Sequence, residues 1–258
     1  CFEDENVTHV SGRVDPIADI EVINTELQLA DLQTIENVIN RVSRVAKSGD
    51  KEELARLQYL EKLQAHIDDG QPARTFERDS EFRRTLRDLH LLTMKPVLYI
   101  ANVDEDGVAG GAQVDVVNRI AADEGSGVVV ICNKLESEII ELDDDERSEF
   151  LEELGMDEPG LDKVIRAGYK LLSLQTYFTA GPKEARAWTI RMGASPPQAA
   201  SVIHTDFGRG FIKAEVVSYS DYIEFNGEGG AKEAGKWRQE GKEYIVQDGD
   251  VIHFRFNV

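Results

Sequence analysis

Cysteine is almost missing from this 258-residue sequence: Cys1 and Cys132 are the only two. That excludes a disulfide framework beyond a single bridge and makes reduced thiols the default. Histidine is scarce as well. The five are scattered, and no Cys/His group has zinc spacing. No apolar run approaches the ~18–20 residues that span a bilayer as a helix. The first residues, Cys-Phe-Glu-Asp-Glu, are acidic where a signal peptide would be basic. A cytoplasmic protein without membrane contact is expected. There is no initiating Met, and Cys1-Phe2 reads as the tail of a strand, so the chain is expected to begin partway through a larger protein. Positive charge is in short supply too. Twenty-nine Lys and Arg face 49 Asp and Glu, a net charge of −20, which speaks against wholesale nucleic-acid binding.

What is present is an ordinary soluble composition, 41% hydrophobic, long enough for one large domain or two to three smaller ones. The charge is uneven. From residue 171 onward 10 Lys/Arg meet 11 Asp/Glu, net −1, which leaves 19 and 38, net −19, for residues 1–170. The C-terminal third could therefore touch a polyanion while the rest stays away.

Asp15-Pro16 is a helix start, a capping residue followed by Pro at the first helical position. From there to about Ser48, Ile35, Val38, Ile39, Val42, Val45 and Ala46 lie on one stripe. "KSGD" (47–50) breaks the helix. A second follows with Leu54, Leu57, Leu60, Leu63 and Ile67 on one side, ended by "DDGQP" (68–72). A third is expected over about 80–93. Two long helices joined by a tight turn pair antiparallel as a hairpin. Such an arm is a structural element or a docking device. A strand over 97–101, a helix over 112–124 and a strand over 128–132 form a β-α-β unit. The acidic "ELDDDERSEFLEELG" and then "EPGLDKVIRAGYKLL" read as helices. After Leu172 the period changes. "TYFTAG" and "RAWTI" read as a β-hairpin around "GPKEA", and "SPPQAASVIH" as a short helix. "GFIKAEVVSYSDYIEF" is strand-rich, and "EYIVQDGDVIHFRFNV" supplies two strands around Asp248-Gly249. Strands wrapped over one helix in this length predict a small α+β domain of β-grasp type.

Asn102, Val103, Asp104 and Glu105 stand at the carboxyl end of the first β-α-β strand, where open α/β sheets bind ligands. An Asn there can bond a purine N7 and brace a neighbouring loop. In the GTPase pattern Asn-Lys-x-Asp, the closing Asp accepts two hydrogen bonds from guanine. Adenine has no N1–H, and a carboxylate repels its lone pair. Here Val103 replaces the Lys and Glu105 the Asp. An apolar second residue can lie against the ring while its main-chain groups meet adenine's N6. The turn thus reads as relaxed or converted toward adenine, or as a plain surface turn. A second strand end carries Cys132, Asn133 and Lys134. It reads as the later loop of the same pocket, with Lys134 flanking the base or standing as a surface lysine. Cys132 follows "GVVVI" and reads as a small buried residue rather than a nucleophile.

"NTELQLADL", "YIANVDEDG", "RAGYKLLSLQTYFTAGPKEARAWTIRMGASPPQAASVIHTDF" and "KEYIVQDGDVIHFRFNV" resemble the YchF family, the bacterial counterpart of the eukaryotic Obg-like ATPases. The resemblance runs over essentially all 258 residues. It implies an α/β P-loop NTPase-type G domain, present in part, with an inserted antiparallel coiled-coil arm and a C-terminal α+β (β-grasp) TGS domain. The expected division is 1–21 and 95–172 for the G domain, 22–94 for the arm and 173–258 for the TGS domain. The resemblance further implies binding and hydrolysis of ATP in preference to GTP, with Mg²⁺, and association with the ribosome (large subunit or 70S) in translation and stress responses. His9, in "NVTHVSG", matches the family's catalytic His. Asn102, Val103, Glu105, Cys132, Asn133 and Lys134 match the base-binding loops, with Asn133 where a small residue is more usual.

The departure is large. No Gly-x-x-x-x-Gly-Lys-Ser/Thr occurs, so the phosphate cradle and the Mg²⁺-binding hydroxyl are missing, and no metal ligand is expected in this chain. ATPase activity is expected of the intact protein and not of this piece alone. A competing reading is a ribosome- or RNA-binding regulatory module in which hydrolysis is incidental. Its candidates are Lys183, Arg186, Arg191, Lys213, Lys236 and Arg238, with Arg209 and Lys232 in the same stretch and Trp188 and Trp237 nearby to stack on unpaired bases. A plain protein scaffold is the third.

Overall fold

Asp15 begins the architecture as expected. Its carboxylate accepts a hydrogen bond from Ala18 N–H at 3.2 Å, with Pro16 at the first helical position, and opens α1 (Pro16–Ala46). The computed structural model describes residues 1–3, 12–47, 49–76 and 83–257. It divides into two units, Cys1–Val164 and Ile165–Val258.

In the first unit α1 pairs with α2 (Lys51–Asp68). Between them lies a closed apolar seam of Ile35, Val42, Tyr59, Leu60, Leu63 and Ile67. The apolar stripes read from the sequence are the faces that meet, except at the turn end, where Val45 and Leu54 are exposed. A 3₁₀ turn (Ala73–Thr75) leads to α3 (Arg83–Leu89), and Leu86, Leu89 and Leu91 join the same core. The expected third helix over 80–93 is thus shorter. It stops at Leu89, His90 turns left-handed at φ 50°, and the chain from Leu91 to Thr93 is claimed by another partner. That partner is Asp31 of α1, 2% exposed, whose carboxylate accepts from Leu92 N–H (2.7 Å), Thr93 N–H (2.8 Å) and Thr93 Oγ1–H (2.6 Å).

Next come β1 (Leu98–Asn102), a 3₁₀ turn (Asp106–Ala109), α4 (Ala112–Glu124) and β2 (Gly127–Ile131). The strands are parallel, in register from Leu98 opposite Gly127 to Asn102 opposite Ile131, with α4 as the crossover packed on both. Gly125, at φ 67°, closes α4 in the left-handed conformation that suits glycine. Residues 1–3 lie beside the end of β1, where the Cys1 amino group donates to the Asn102 carbonyl at 2.8 Å. Then follow α5 (Asn133–Glu141), α6 (Asp144–Glu153) and α7 (Gly160–Leu171), the last running across the division between the units. The acidic stretch forms α6, which Asp143 starts with a reciprocal capping box to Glu146, and α5 ahead of it is a helix that the sequence reading did not place.

The second unit is a five-stranded mixed sheet. β3 (Leu174–Ala180) and β4 (Ala185–Arg191) form the expected hairpin, and α8 (Pro196–Ile203) and α9 (Thr205–Arg209) follow. The chain continues with β5 (Phe211–Ser218), α10 (Tyr219–Glu224), α11 (Glu228–Glu233), β6 (Arg238–Glu240) and β7 (Asp250–Phe256). The spatial order is β4-β3-β7-β5-β6. β7 runs parallel to β3 and antiparallel to β5. One face buries Tyr177, Ile190, Phe211, Val216, Ile252 and Phe254 against Ala199 and Ala200 of α8. The other packs Val217 and Val251 against Ala231, Tyr222 and Trp237.

Two strand assignments change here. "YSDYIE" is α10, because Ser218 caps it through Asp221 N–H. "EYIVQDG" is a loop and contributes no strand, so only β7 follows it. The loop is pinned to β3 by other means: Gln175 Nε2 donates to the Val246 carbonyl, and Thr176 N–H donates to Asp248 Oδ1.

Candidate functional site at the strand edge

The parallel pair β1–β2 sends two loops off the same edge of its sheet, and hydrogen bonds join them. Val103 N–H donates to the Ile131 carbonyl at 2.8 Å, extending the ladder one residue past β1. Asn102 Oδ1 then accepts from Asn133 N–H at 3.1 Å. Because Asn133 is the first residue of α5, its N–H is one of the donors a helix leaves unpaired, and the Asn102 side chain supplies the acceptor. Further out, Lys134 Nζ donates to Glu105 Oε1 at 2.6 Å, a bridge exposed on both sides. The Glu105 carboxylate raises the Lys134 ammonium above its ordinary value. Asp104 folds the turn by accepting from Gly107 N–H at 2.8 Å.

Six residues expected at a base pocket therefore divide by depth. Asn102, Glu105, Asn133 and Lys134 are drawn together at the edge. Val103 and Cys132, 2% and 3% exposed, point inward to Ala101, Val114, Leu135 and Ile139. This corrects the expectation that the Val103 side chain lies against a ring: it fills the core. Its N–H is also spent on Ile131, so only its carbonyl is left for an amino group at that position. Cys132 is a core residue, as its Val-rich context indicates. His9 lies outside the described residues.

One residue of this edge has a role that the sequence did not indicate. Glu136, on the first turns of α5, turns both carboxylate oxygens toward the start of α7, accepting from Gly160 N–H (2.7 Å) and Leu161 N–H (2.9 Å). A Cβ on Gly160 would fall 2.7 Å from that carboxylate and 2.9 Å from Ile131. The partner is 24 residues away, beyond the reach of any capping pattern. Two clefts of the first unit lie elsewhere. One, of about 340 Å³, is lined by Glu21, Asn24, Gln28, Thr93 and Glu124, and Glu124 there holds Arg74 at 2.8 Å and the Tyr99 hydroxyl at 2.9 Å. The other, of about 500 Å³, runs between α1 and α2 past Leu29, Glu36, Glu61 and Asp68. Among the described residues no group of three or more His, Cys, Asp or Glu is placed to hold a metal ion. No described helix is long and apolar enough to cross a membrane.

In the second unit the expected polyanion contacts separate into two sets. Lys213 bonds Gln239 and lies 3.5 Å from Glu215, Lys236 lies 3.2 Å from Asp221, and Arg238 is 3.9 Å from both Glu240 and Asp250. These cations are neutralised within the unit. Lys183, Arg186 and Arg191 sit exposed on the β3–β4 hairpin. The indoles expected to stack on bases are packed instead. Trp188, partly buried, packs against the sheet core under Arg186 (4.2 Å) with its Nε1–H on Thr179, and Trp237, also partly buried, lies on the second face under Lys232.

Comparison with known proteins covers the whole chain. The family model YchF-GTPase_C, described as a protein of unknown function (DUF933), matches residues 174–257. The Haemophilus influenzae protein named ribosome-binding ATPase YchF is 57% identical over all 258 residues, which span 71% of its length. The Bacillus subtilis protein of the same name is 55% identical, again over 100% of this chain and 71% of its own. Among solved structures, the Schizosaccharomyces pombe YchF GTPase superposes with a TM-score of 0.84 at 30% identity, over 98% of this chain and 70% of that one. A parallel strand pair with stitched edge loops, a helical hairpin and a mixed five-stranded sheet, matched end to end at this identity, place the chain in the YchF family.

Proposed function

We propose that this chain is the greater part of a ribosome-binding nucleoside triphosphate hydrolase that takes ATP in preference to GTP, with the purine held at the β1–β2 edge. The Asn102–Asn133 bond carries the reading. It unites the two loops a base must touch and leaves the Asn102 amide nitrogen as a donor for a purine N7. Glu105 supports adenine over guanine. Bound to Lys134, its carboxylate is directed away from the double acceptance that guanine requires. Lys134 in turn sets its stem beside the base. The reading assigns residues 1–21 and 95–172 to a G domain, 22–94 to an inserted coiled-coil arm and 173–258 to a TGS domain of β-grasp type, in the cytoplasm. The ribosome as partner rests on the names of the bacterial relatives. His9 is assigned to catalysis by its place in the family pattern.

Phosphates and Mg²⁺ are not given ligands in this chain. The sequence has no Gly-x-x-x-x-Gly-Lys-Ser/Thr, and the described residues offer no metal cluster, so no step is assigned through the ion. These 258 residues alone hydrolyse no ATP. Calorimetry on the full-length protein tests the base assignment. ATP is expected to bind at least ~10-fold more tightly than GTP, and Asn102→Ala to weaken ATP by about 10- to 100-fold, the loss of a hydrogen bond together with the loop brace. Preference for GTP, or indifference to Asn102, sinks the reading. A second reading, a ribosome- or RNA-binding regulatory module in which hydrolysis is incidental, draws on Lys183, Arg186 and Arg191, exposed on one hairpin. It predicts ribosome binding that survives loss of nucleotide affinity.

A further inference from the structure

The charges of the helical arm are sorted along its length. In α1, residues 16–40 hold Asp19, Glu21, Glu26, Asp31 and Glu36 and no Lys or Arg, while residues 41–51 hold Arg41, Arg44, Lys47 and Lys51 against Asp50 alone. The four cations are exposed, and among the described residues none has a carboxylate within ion-pair distance. Two of the three acids nearest the turn are engaged. Asp50 caps α2 by accepting from Glu52 N–H and Glu53 N–H, and Glu53 pairs with Arg56 at 3.6 Å. Glu52 is the one acid of the turn without such an engagement among the described residues.

We propose that the turn end of this arm is a binding site for the phosphate backbone of structured RNA. The proposal deepens the ribosome-binding reading and rests on it for the source of the RNA. Helix electrostatics explain only part of the pattern. The macrodipole favours Arg44 and Lys47 in the last turn of α1. It does not reach Arg41, more than a turn further back, and it disfavours Lys51 at the start of α2.

Distance explains how a chain of net charge −20 approaches a polyanion at all. Asn24 lies in the cleft shared with Glu124 of α4, on the body of the first unit. Arg44 is 20 residues further along the helix, about 30 Å at 1.5 Å per residue. That is between three and four Debye lengths at physiological salt, each ~8 Å, so the acidity of the body is screened at the turn end. A membrane surface fits less well, because Val45 and Leu54 are the only large apolar side chains exposed there among the described residues, and no described aromatic accompanies them. An acidic protein surface would leave four full charges with little apolar area to hold it.

The test compares the 258-residue chain with R41Q/R44Q/K47Q/K51Q and with the charge-retaining R41K/R44K. Circular dichroism verifies equal helix content. Binding to a labelled RNA duplex of about 16 base pairs is read by anisotropy, and co-sedimentation with 70S ribosomes is read from ~50 to ~200 mM salt. The fourfold Gln variant is expected to bind the duplex at least ~10-fold more weakly, with the slope of log K against log salt flattened by about 2 to 4. The Lys variant is expected to bind as the parent does. Equal affinity and slope for the fourfold variant overturns the proposal, as does preference of the parent for phosphatidylserine vesicles or polyglutamate over the duplex. Ribosome binding that the fourfold variant retains in full removes this site and leaves the ribosome reading intact. Duplex binding without ribosome binding keeps the site and removes that reading. A parent that binds neither sinks both.

Discussion

Asp31 and Asp250 are each 2% exposed, one in each unit, and they hold the chain in opposite ways. Asp31 reaches across 61 and 62 residues of sequence to fix Leu92 and Thr93 against α1. Asp250 works within its own turn, accepting from Gln247 N–H at 2.9 Å and from the Tyr244 hydroxyl at 2.8 Å. Burial is the largest influence on Asp250 and raises its pKa. Tyr244, buried in part and donating to that carboxylate, is pushed up to about 12. A buried carboxylate is tolerable only when its oxygens are satisfied. The arm meets that condition with a distant loop, the sheet unit with a local one. Losing the first should therefore loosen a tertiary junction, and losing the second only a turn.

Asp31→Ala gives the largest effect expected from this contrast. It leaves the buried Thr93 N–H and hydroxyl, and the half-buried Leu92 N–H, without their acceptor, and about 3 kcal/mol of the first unit's stability is lost. Urea denaturation measures the total, and hydrogen exchange should place the loss in residues 16–94 while the second unit keeps its protection. Equal deprotection in both units would break the contrast. Tyr244→Phe removes one donor to Asp250 and is expected to cost about 1 kcal/mol, confined to the second unit. The smallest effect concerns pH. Burial opposes ionisation of Glu215, yet Arg255 at 3.1 Å and Lys213 outweigh it and hold its carboxyl below the usual range. A depressed carboxylate contributes stability above its unfolded pKa of ~4.3 and loses it as pH falls through the folded value. Thermal melts should show wild type above Glu215→Gln at neutral pH, the gap closing in acid. A gap that persists at low pH would trace Glu215's contribution to packing instead of charge.

Local signals account for what the sequence made legible. α4 runs from Ala112 to Glu124, the 112–124 read from periodicity, because Gly125 ends it. The arm followed from two apolar stripes and a Gly-containing turn. α10 and the loop before β7 read as strand because Tyr, Ile and Val are dense in both stretches, while Ser218, Gln175 and Thr176 decide otherwise from outside them. At the candidate site the residue types and the burial of Cys132 were legible, and the depth of Val103 was not. Val103 looks like any apolar turn residue until Val114 and Leu135 close around it. The junctions made by Asp31 and Glu136 depend on partners 24 to 62 positions away, which no window over one sequence contains.

Glu136 sits two positions after Lys134 on the same helical stretch, gripping the first amides of α7 with both oxygens. α5 is therefore held at two points: its opening residues join the β1–β2 edge loops, and the next turn grips another helix at Gly160, where a methyl group would press on Glu136 and Ile131. Both edge loops thus share their anchorage with the start of α7.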